Sequence, residues 1–424
     1  MTLAPRHPRG TRGGEVRLLL VVSYFFPEIG SAAHLYGDLA RAFVKRGHEV
    51  EVITSYPREY NLPDALKGRE FELFEEMDGV KVHRVRYEVQ RDSIIRRGLE
   101  HYRIPSLYHK RYSQLERDFD AALIYIPPLP LYKLANRLQQ DGVPCVLNIQ
   151  DFHPQELVDV GVLRNPLLIR LMERQERKAY SSADALSVLS RKGIDYVCER
   201  GAERRNVHHI YNCISLNEMD VQRRDFKKKE GIEGKVLITY AGILSPFQGI
   251  DRIVDAASSM GGREDIMFYI IGDGMEREAL EARVRDEKLD NVRMLPLQPR
   301  EEYYNIINSS DISIISLDAR MGAPCLPGKT INLLAVGRPI VAYVPPDSET
   351  ASLMQESGAG IVVSSAKEMA SAFRELADDP ERRMEMGMSG RRYLEGHMTL
   401  ERAVDEYEAI FKSIAPSERP DINL

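Results

Sequence analysis

Residues 16–33 read VRLLLVVSYFFPEIGSAA, and this stretch decides the fold. Its first eight residues form an almost continuous apolar run, which is typical of a β-strand covered on both faces in a parallel sheet. Pro27 and Gly30 mark a turn, and the apolar spacing of residues 31–46 predicts a helix that Gly47 ends. Strand, turn and helix in this order form the first βα unit of an α/β domain.

The residues before this strand allow a second interpretation. Residues 1–14 are basic and rich in Pro and Gly, and we predict a disordered tail there. Arg6, Arg9 and Arg12, followed by the apolar run 18–26, imitate a secretory signal. A buried strand fits better because the run leads directly into a turn and a helix. No apolar stretch reaches the ~18–20 residues that span a bilayer, so we predict a cytoplasmic protein with at most peripheral contact with the inner face of the cell membrane.

Strand-like and helix-like segments alternate along the rest of the chain. In the first half, further strands are predicted at residues 48–54, 80–85, 121–125, 143–149, 185–189 and 207–211. A polar segment, 212–234, is the predicted hinge, and a second series follows it at residues 236–241, 266–271, 292–295, 312–316, 339–343 and 360–363. The alternation predicts two Rossmann-like, doubly wound parallel-sheet α/β domains, 15–213 and 214–395. Their facing carboxyl edges would form a ligand cleft.

Composition excludes several other classes of protein. A chain of 424 residues is long enough for two domains, each with its own core. A net charge of −6 argues against bulk binding of nucleic acid. The four cysteines lie far apart without a Cys-x-x-Cys pair, which indicates reduced thiols rather than a zinc site or a disulfide framework: Cys145, Cys198, Cys213 and Cys325.

Glycines stand at the ends of three predicted strands. Gly30 precedes a helix start, where free N–H groups and the helix dipole favour phosphate, although the next residue, Ser31, could simply be an N-cap. In the second half, Gly242 follows one strand, and Gly272 and Gly274 follow the next. Turn punctuation explains a single such glycine. Their repetition at one edge of one sheet favours a nucleotide site.

The most informative segment is residues 326–339, LPGKTINLLAVGRP. It predicts a loop, a short helix, a glycine stop and a strand. Gly328 places the helix start beside Lys329, so that free N–H groups and one ammonium group converge. This combination suits a diphosphate, whose charge grows as it leaves. The alternative is a solvated surface lysine.

The chain resembles the family 4 glycosyltransferases, a retaining group with the GT-B fold that uses UDP- or GDP-sugars. The motifs occur in the family's order from about residue 16 to the last helix: residues 26–30 (FPEIG), 46–50 (RGHEV), 272–274 (GDG) and 337–340 (GRPI). Residues 247–251 (FQGID) and 327–329 (PGK) resemble more narrowly the branch that adds N-acetylated amino sugars to lipid-linked oligosaccharides. The resemblance also implies that a C-terminal helix within 396–424 packs back on the first domain.

Two departures from the family pattern concern the donor site. Alignment on Gly337 puts Pro324 and Asn332 where most members carry the two carboxylates of a Glu-x7-Glu motif. Ile243 and Gln248 replace the usual phosphate-binding Arg and Lys. In the similar branch, the Pro-x-Lys lysine is expected to compensate, which here is Lys329.

The resemblance implies the remaining site residues. Gly249 and Gln248 would line the donor, and Asn332 would bond a ribose hydroxyl. Asp151 or His153, in the segment QDFHP at 150–154, would orient the acceptor hydroxyl or accept its proton. A capping Asp beside an exposed His is the open alternative, and Asn212 is expected to be structural. Neither a metal nor a cofactor is implied.

Residues 86–117 hold eight Arg or Lys residues against four acids, with interleaved tyrosines. This pattern suits an anionic membrane or a lipid-diphosphate acceptor, although charge runs are usually solvated faces.

Two functions other than transfer are compatible with the sequence. A GT-B sugar-nucleotide epimerase would use the same cleft without an acceptor. The missing carboxylates would also suit a non-catalytic nucleotide-sugar-binding subunit.

Overall fold

A computed structural model describes residues 16–87, 94–159, 161–215, 224–318 and 320–415. The predicted tail, residues 1–14, lies outside these residues, as does part of the predicted hinge. By compactness the chain divides into two units. The first contains residues 1–148, 182–187 and 404–424, and the second contains residues 149–181 and 188–403. The boundaries predicted at residues 213 and 395 divide the chain by sequence pattern and stay predictions.

The first half of the chain forms one sheet, with strands in the order β3-β4-β2-β1-β5-β6-β7-β8. These strands are β1 (Arg17–Val21), β2 (Glu49–Ser55), β3 (Phe74–Met77), β4 (Val80–Val85), β5 (Ala121–Ile126), β6 (Cys145–Ile149), β7 (Ala185–Val188) and β8 (Val207–His209). Strand β1 pairs in parallel with β2 and β5, whereas β3 is antiparallel to β4. The connecting helices are α1 (Ser31–Lys45), α2 (Ile94–Tyr112), α3 (Tyr132–Gln140), α4 (Gln155–Asp159), α5 (Pro166–Ser182) and α6 (Arg191–Glu199).

The second half forms a six-stranded sheet in the order β11-β10-β9-β12-β13-β14, parallel throughout. Its strands are β9 (Val236–Ala241), β10 (Ile266–Ile271), β11 (Val292–Leu295), β12 (Ile312–Ser316), β13 (Ile340–Tyr343) and β14 (Gly360–Val363). Its helices are α7 (Phe226–Lys229), α8 (Ile250–Ser258), α9 (Arg277–Asp286), α10 (Arg300–Ser309), α11 (Lys329–Ala335), α12 (Glu349–Ser357), α13 (Ala366–Asp378), α14 (Pro380–His397) and α15 (Leu400–Ile414). The predicted pair of parallel-sheet α/β domains is confirmed.

The strand cores explain why both sheets form. Residues 18–21 of β1 and Val22, which follows the strand, are fully buried, as expected of a strand covered on both faces. In the second sheet, Ile238, Phe268 and Ile314 from three neighbouring strands share one core with helices α8 and α13. The continuous apolar runs of the sequence therefore form the central strands of the two sheets.

The end of the chain belongs to the first compact unit. Phe411 of α15 packs its ring against Phe43 of α1, with 5.9 Å between the ring centroids. Glu408 lies 2.9 Å from the Nε2 atom of His48. The hydroxyl of Tyr407 accepts a hydrogen bond from the side-chain amide of Asn148 at 3.1 Å. The apolar stripe of this helix is thus part of the core that begins with β1.

Candidate active site

The turns after β9 and β10 pack directly on each other. A Cβ atom added to Gly272 would lie 1.8 Å from the carbonyl oxygen of Gly242, and one added to Gly274 would lie 2.2 Å from the carbonyl oxygen of Leu244. Both glycines also have positive φ, 154° and 153°. The two glycines are therefore required by backbone packing, and their contact with a nucleotide stays a prediction. Together the turns form one closely packed edge of the second sheet.

Lys329 is the first residue of α11, and its side chain lies against this edge. Its Nζ atom is 3.5 Å from Oε1 of Gln248 and 4.0 Å from the centroid of the Tyr240 ring. A Cβ atom added to Gly242 would be 2.5 Å from Nζ. The structure therefore brings together Gly242, Gln248 and Lys329. It also adds Tyr240, which sequence reasoning missed because it lies within the apolar run of β9.

Burial dominates the electrostatics of this cluster. It lowers the pKa of Lys329 to about 7. Among the residues that the structure describes, no carboxylate lies within 4.0 Å of its Nζ atom, and the ring of Tyr240 is its cation–π partner. Burial also raises the pKa of Tyr240, and the charge of Glu276 adds to this effect. A bound anion would supply a negatively charged partner for Lys329. The side chain is half-buried rather than exposed, and its role in donor binding stays a prediction.

The turn at Gln248 and Gly249 is fixed from two sides. The hydroxyl of Tyr240 donates to Oε1 of Gln248 at 3.1 Å, and the Oγ atom of Ser316 donates to the Gln248 carbonyl. Gly249 has a φ of 57°, and a Cβ atom there would lie 3.2 Å from the ring of Tyr343. The left-handed backbone requires glycine here. Gln248 is thus held with its amide beside the Lys329 ammonium.

The other predicted donor residues occupy different settings. Asn332, half-buried on α11, donates to the hydroxyl of Tyr303 at 3.4 Å. Gly328 precedes α11 with a φ of −58°, a helical value that any residue adopts. Gly30 belongs to the other compact unit, where it is the N-cap of α1 with a φ of 147°. Ser31, considered as the N-cap, is instead the first residue of the helix.

Asp151 and His153 follow β6 and lie in the same compact unit as Lys329. Burial raises the pKa of Asp151 to about 6 and lowers that of His153. Glu156 on α4 accepts the N–H of Phe152 at 2.8 Å. Its pKa is raised to about 8, first by burial and then by the charge of Asp151. Burial raises the pKa of Cys325 to about 12, and the charges of Glu156 and Asp151 add to this effect.

Two side chains anchor the loop that leads to Lys329. Oδ2 of Asp159 accepts the N–H groups of Gly322 and Ala323 at 2.9 and 2.8 Å. The Oγ atom of Ser190 donates to the carbonyl of Pro324 at 2.9 Å. Sequence reasoning missed Asp159 and Ser190, because their partners lie more than 130 residues away and no local pattern indicates such contacts. It also missed Glu156, although this residue lies only a few positions after the QDFHP segment.

Another polar cluster that the sequence did not reveal lies in the first compact unit. Arg58 is buried, and its guanidinium donates to Oε1 of Glu28 at 3.1 Å and to the carbonyl of Ser23 at 3.0 Å. The same group lies over the ring of Tyr24, 3.9 Å from its centroid. Glu28, a carboxylate within an otherwise apolar turn, was the sequence feature that could have indicated this cluster. The pair fixes the turn that follows β1.

The basic segment 86–117 is less exposed than its sequence indicates. Tyr108 and Tyr112 are fully buried, and the hydroxyl of Tyr108 bonds to Ser55 at 2.7 Å. These two tyrosines therefore belong to the core and are not available for contact with a membrane, although Arg103 and Lys110 are exposed. Residues 88–93 lie outside the described part of the chain. Within that part, no helix is long and apolar enough to cross a membrane, and no group of His, Cys, Asp and Glu could hold a metal ion.

Comparison with known proteins defines the class of protein. A model of the glycosyl transferase 4-like domain matches residues 30–213, and a model of glycosyl transferases group 1 matches residues 222–393. The structure of Anabaena HepE in complex with UDP superposes with a TM-score of 0.67 at 14% identity, covering 94% of this chain and 100% of that one. The chain is thus a glycosyltransferase with the GT-B fold, and the predicted fold class is confirmed.

Individual relatives are glycosyltransferases as well. WcaI of Escherichia coli (strain K12), a glycosyl transferase assigned to colanic acid biosynthesis, is 23% identical over 342 residues, which are 76% of this chain and 82% of WcaI. The alpha-D-kanosaminyltransferase of Streptomyces kanamyceticus is 26% identical over 290 residues, which are 64% of this chain and 71% of that enzyme.

Proposed function

We propose that this enzyme transfers an N-acetylated hexosamine from a UDP donor to a glycan or lipid-linked acceptor, with retention and without a metal ion. The product would serve cell-surface polysaccharide or glycoconjugate assembly. The assignment of WcaI to colanic acid biosynthesis supports this pathway, and the HepE complex with UDP supports the base. The donor sugar and the retention of configuration rest on the resemblance to the branch that carries the Pro-x-Lys segment.

The surroundings of Lys329 carry the proposal. Its Nζ atom lies against Gln248 and the ring of Tyr240, with no described carboxylate within 4.0 Å. A diphosphate placed there would gain a charge-assisted hydrogen bond in a low-dielectric setting, where such bonds are strongest. The interaction would strengthen further as negative charge builds on the departing UDP, which is what lowers the barrier.

In the proposed reaction, the bond between the sugar C1 atom and the UDP oxygen breaks while the acceptor oxygen bonds to C1 on the same face. The acceptor proton passes to the departing phosphate, so no protein nucleophile is required. Asp151 and His153 would orient the acceptor hydroxyl. The lowered pKa of His153 keeps its imidazole neutral and able to accept a hydrogen bond at neutral pH. Contact of residues 86–117 with an anionic membrane remains a separate prediction.

The test is a transfer assay with labelled UDP- and GDP-sugars and a lipid-diphosphate-linked sugar as acceptor. We expect transfer from a UDP-N-acetylhexosamine, with the donor's anomeric configuration retained in the NMR spectrum of the product. An epimer formed from the donor alone would indicate an epimerase, and donor binding without transfer or hydrolysis would indicate a binding subunit. Either result would contradict the proposal.

Lys329→Ala should reduce kcat/KM for the donor by roughly 10–150-fold, which corresponds to the loss of about 1.5–3 kcal/mol of charge-assisted phosphate binding. Steady-state kinetics with a radiolabelled donor measure this effect. Lys288→Ala is the matched control, because Lys288 is exposed in the turn after α9 and should leave the kinetics unchanged. Unchanged kinetics for Lys329→Ala would remove this residue from the donor site.

A further inference from the structure

Helix α5 and the loop before it expose a cluster of large apolar side chains. Leu167 is 74% exposed, Leu171 50% and Leu168 42%, and Val162 in the preceding loop is 50% exposed. Single exposed leucines are ordinary, but a contiguous apolar group on a protein surface indicates contact with another apolar phase. Four such residues within ten positions are the densest group of exposed large apolar side chains in the described part of the chain.

The geometry of the helix keeps these side chains on one side. Leu167 and Leu171 are one turn apart, and Leu168 lies three residues before Leu171, so the three side chains are neighbours. The Oδ1 atom of Asn165 accepts the N–H groups of Leu167 and Leu168 at 3.0 and 3.2 Å. This capping fixes the first turn of α5. The leucines are thus presented on an ordered helix.

The same helix is positively charged at its surface. Its exposed charged residues are all basic, namely Arg170, Arg174, Arg177 and Lys178. Its two acids do not offset them, because Glu173 is half-buried and Glu176 is buried and paired with Arg200. Among the described residues, no carboxylate lies within 4.0 Å of the four basic groups. A net charge of −6 for the chain makes this positive surface a local feature.

We propose that this surface, termed the α5 face and formed by Val162, Leu167, Leu168, Leu171, Arg170, Arg174, Arg177 and Lys178, docks on an anionic phospholipid bilayer. The leucines enter the boundary between head groups and acyl chains, and the cations contact the lipid phosphates. Leucines bordered by arginines at helical spacing suit this interface. The exposed part of the face has no aromatic side chain, whereas aromatic residues are enriched at protein–protein interfaces, so a protein partner fits less well. The proposal is independent of the donor sugar.

Vesicle flotation of the full-length protein tests this proposal. We expect the protein to float with vesicles containing about 30% phosphatidylglycerol, to stay in solution with pure phosphatidylcholine, and to be released as salt is raised. No binding to anionic vesicles, or equal binding to both kinds, would overturn the proposal.

The apolar half is tested by a triple variant, Leu167→Ser, Leu168→Ser and Leu171→Ser. We expect at least a tenfold fall in vesicle partitioning at an unchanged melting temperature, because all three side chains are already exposed. The matched control is Met384→Ser with Met388→Ser, which removes two exposed apolar side chains from α14 and should partition like the wild type. An altered oligomeric state of the triple variant without loss of vesicle binding would assign the face to a second copy of the chain and overturn the proposal.

The basic half is tested in parallel. Arg170→Glu with Arg174→Glu should reduce partitioning about tenfold and flatten its salt dependence. Arg103→Glu with Lys110→Glu makes the same charge change in the basic segment predicted from the sequence, where both residues are exposed. If only this second pair lowers vesicle binding, the membrane surface lies in residues 86–117 and the α5 assignment is wrong.

Discussion

Burial lowers the pKa of Lys329 to about 7, so the proposed binding of the donor diphosphate by this residue depends on pH. A UDP-sugar needs the protonated form, and its bound diphosphate raises the lysine pKa again. Donor binding therefore takes up a proton above pH 7. We expect the donor Kd to rise by up to about tenfold per pH unit between about pH 7 and about pH 8.5. Calorimetry in buffers of different ionisation enthalpy would detect the proton. Lys329→Gln should bind more weakly and lose this pH dependence, and a wild-type Kd that is flat with pH would contradict the assignment.

Gly272 is required by the packing of two turns at one edge of the second sheet, where its backbone lies against that of Gly242. Its role in donor binding stays a prediction. Gly272→Ala should destabilise the protein by about 2–3 kcal/mol, because the new Cβ meets a carbonyl oxygen at a positive φ. Thermal and urea unfolding measure the loss. Gly396→Ala, on α14 with no atom within 4 Å of the new methyl group, should be neutral or slightly stabilising.

Glu156 should make the free energy of unfolding decrease as pH rises. Its pKa, near 4.5 when unfolded, is raised to about 8 in the fold. The folded state therefore holds a proton that the unfolded state has lost, and its contribution to stability falls as pH rises through this window. Glu156→Gln keeps the acceptor oxygen for Phe152 and removes the titration. We expect its melting temperature relative to wild type to increase from pH 5 to pH 9. The exposed Glu233→Gln should show no such trend, and a flat difference for Glu156→Gln would refute the raised pKa.

At the scale of elements, continuous apolar runs were sufficient to predict the central strands. The central strands of both sheets are buried on two faces, and a strand of this kind needs apolar residues at every position. The apolar run in the sequence therefore coincides with the buried strand. The strand Phe74–Met77 was missed because it is an antiparallel edge strand of mixed polarity, with alternating half-buried and exposed residues. Helix Ile94–Tyr112 was missed too, since it contains an internal Pro105 and many charges. Tertiary packing, rather than local preference, stabilises these two elements.

The loop that precedes α11 should depend on its anchor, Asp159. Asp159→Ala removes the acceptor of two backbone N–H groups, those of Gly322 and Ala323. We expect faster amide exchange confined to residues 320–328. We also expect weaker donor binding, because Lys329 directly follows this loop as the first residue of α11. Asp159→Asn retains one acceptor oxygen and should be intermediate. Protection equal to wild type in the alanine variant would show that the loop is held by other contacts.

At the scale of the whole molecule, the order of strands and helices predicted two parallel-sheet domains, and these are confirmed. The donor-side cluster was largely predictable, because Gly242, Gln248 and Lys329 lie in motifs that the family shares. The electrostatic interaction of Glu156 with Cys325 was not predictable from one sequence. The two residues come from distant parts of the chain, and only the fold brings them together.

The last helix completes the core of the first compact unit. Phe411 packs on Phe43 of α1, Glu408 lies beside His48, and Tyr407 accepts a hydrogen bond from Asn148. A fragment without this helix therefore lacks all three contacts. A fragment that ends at residue 213 would leave the Phe43 ring exposed and the His48 imidazole without the Glu408 carboxylate. Such a fragment should precipitate on expression unless the last helix is supplied as a separate peptide. Removing the last helix would therefore disturb the packing of α1 and β1, because Phe43 and His48 gain these contacts only after residues 408–411 have been synthesised.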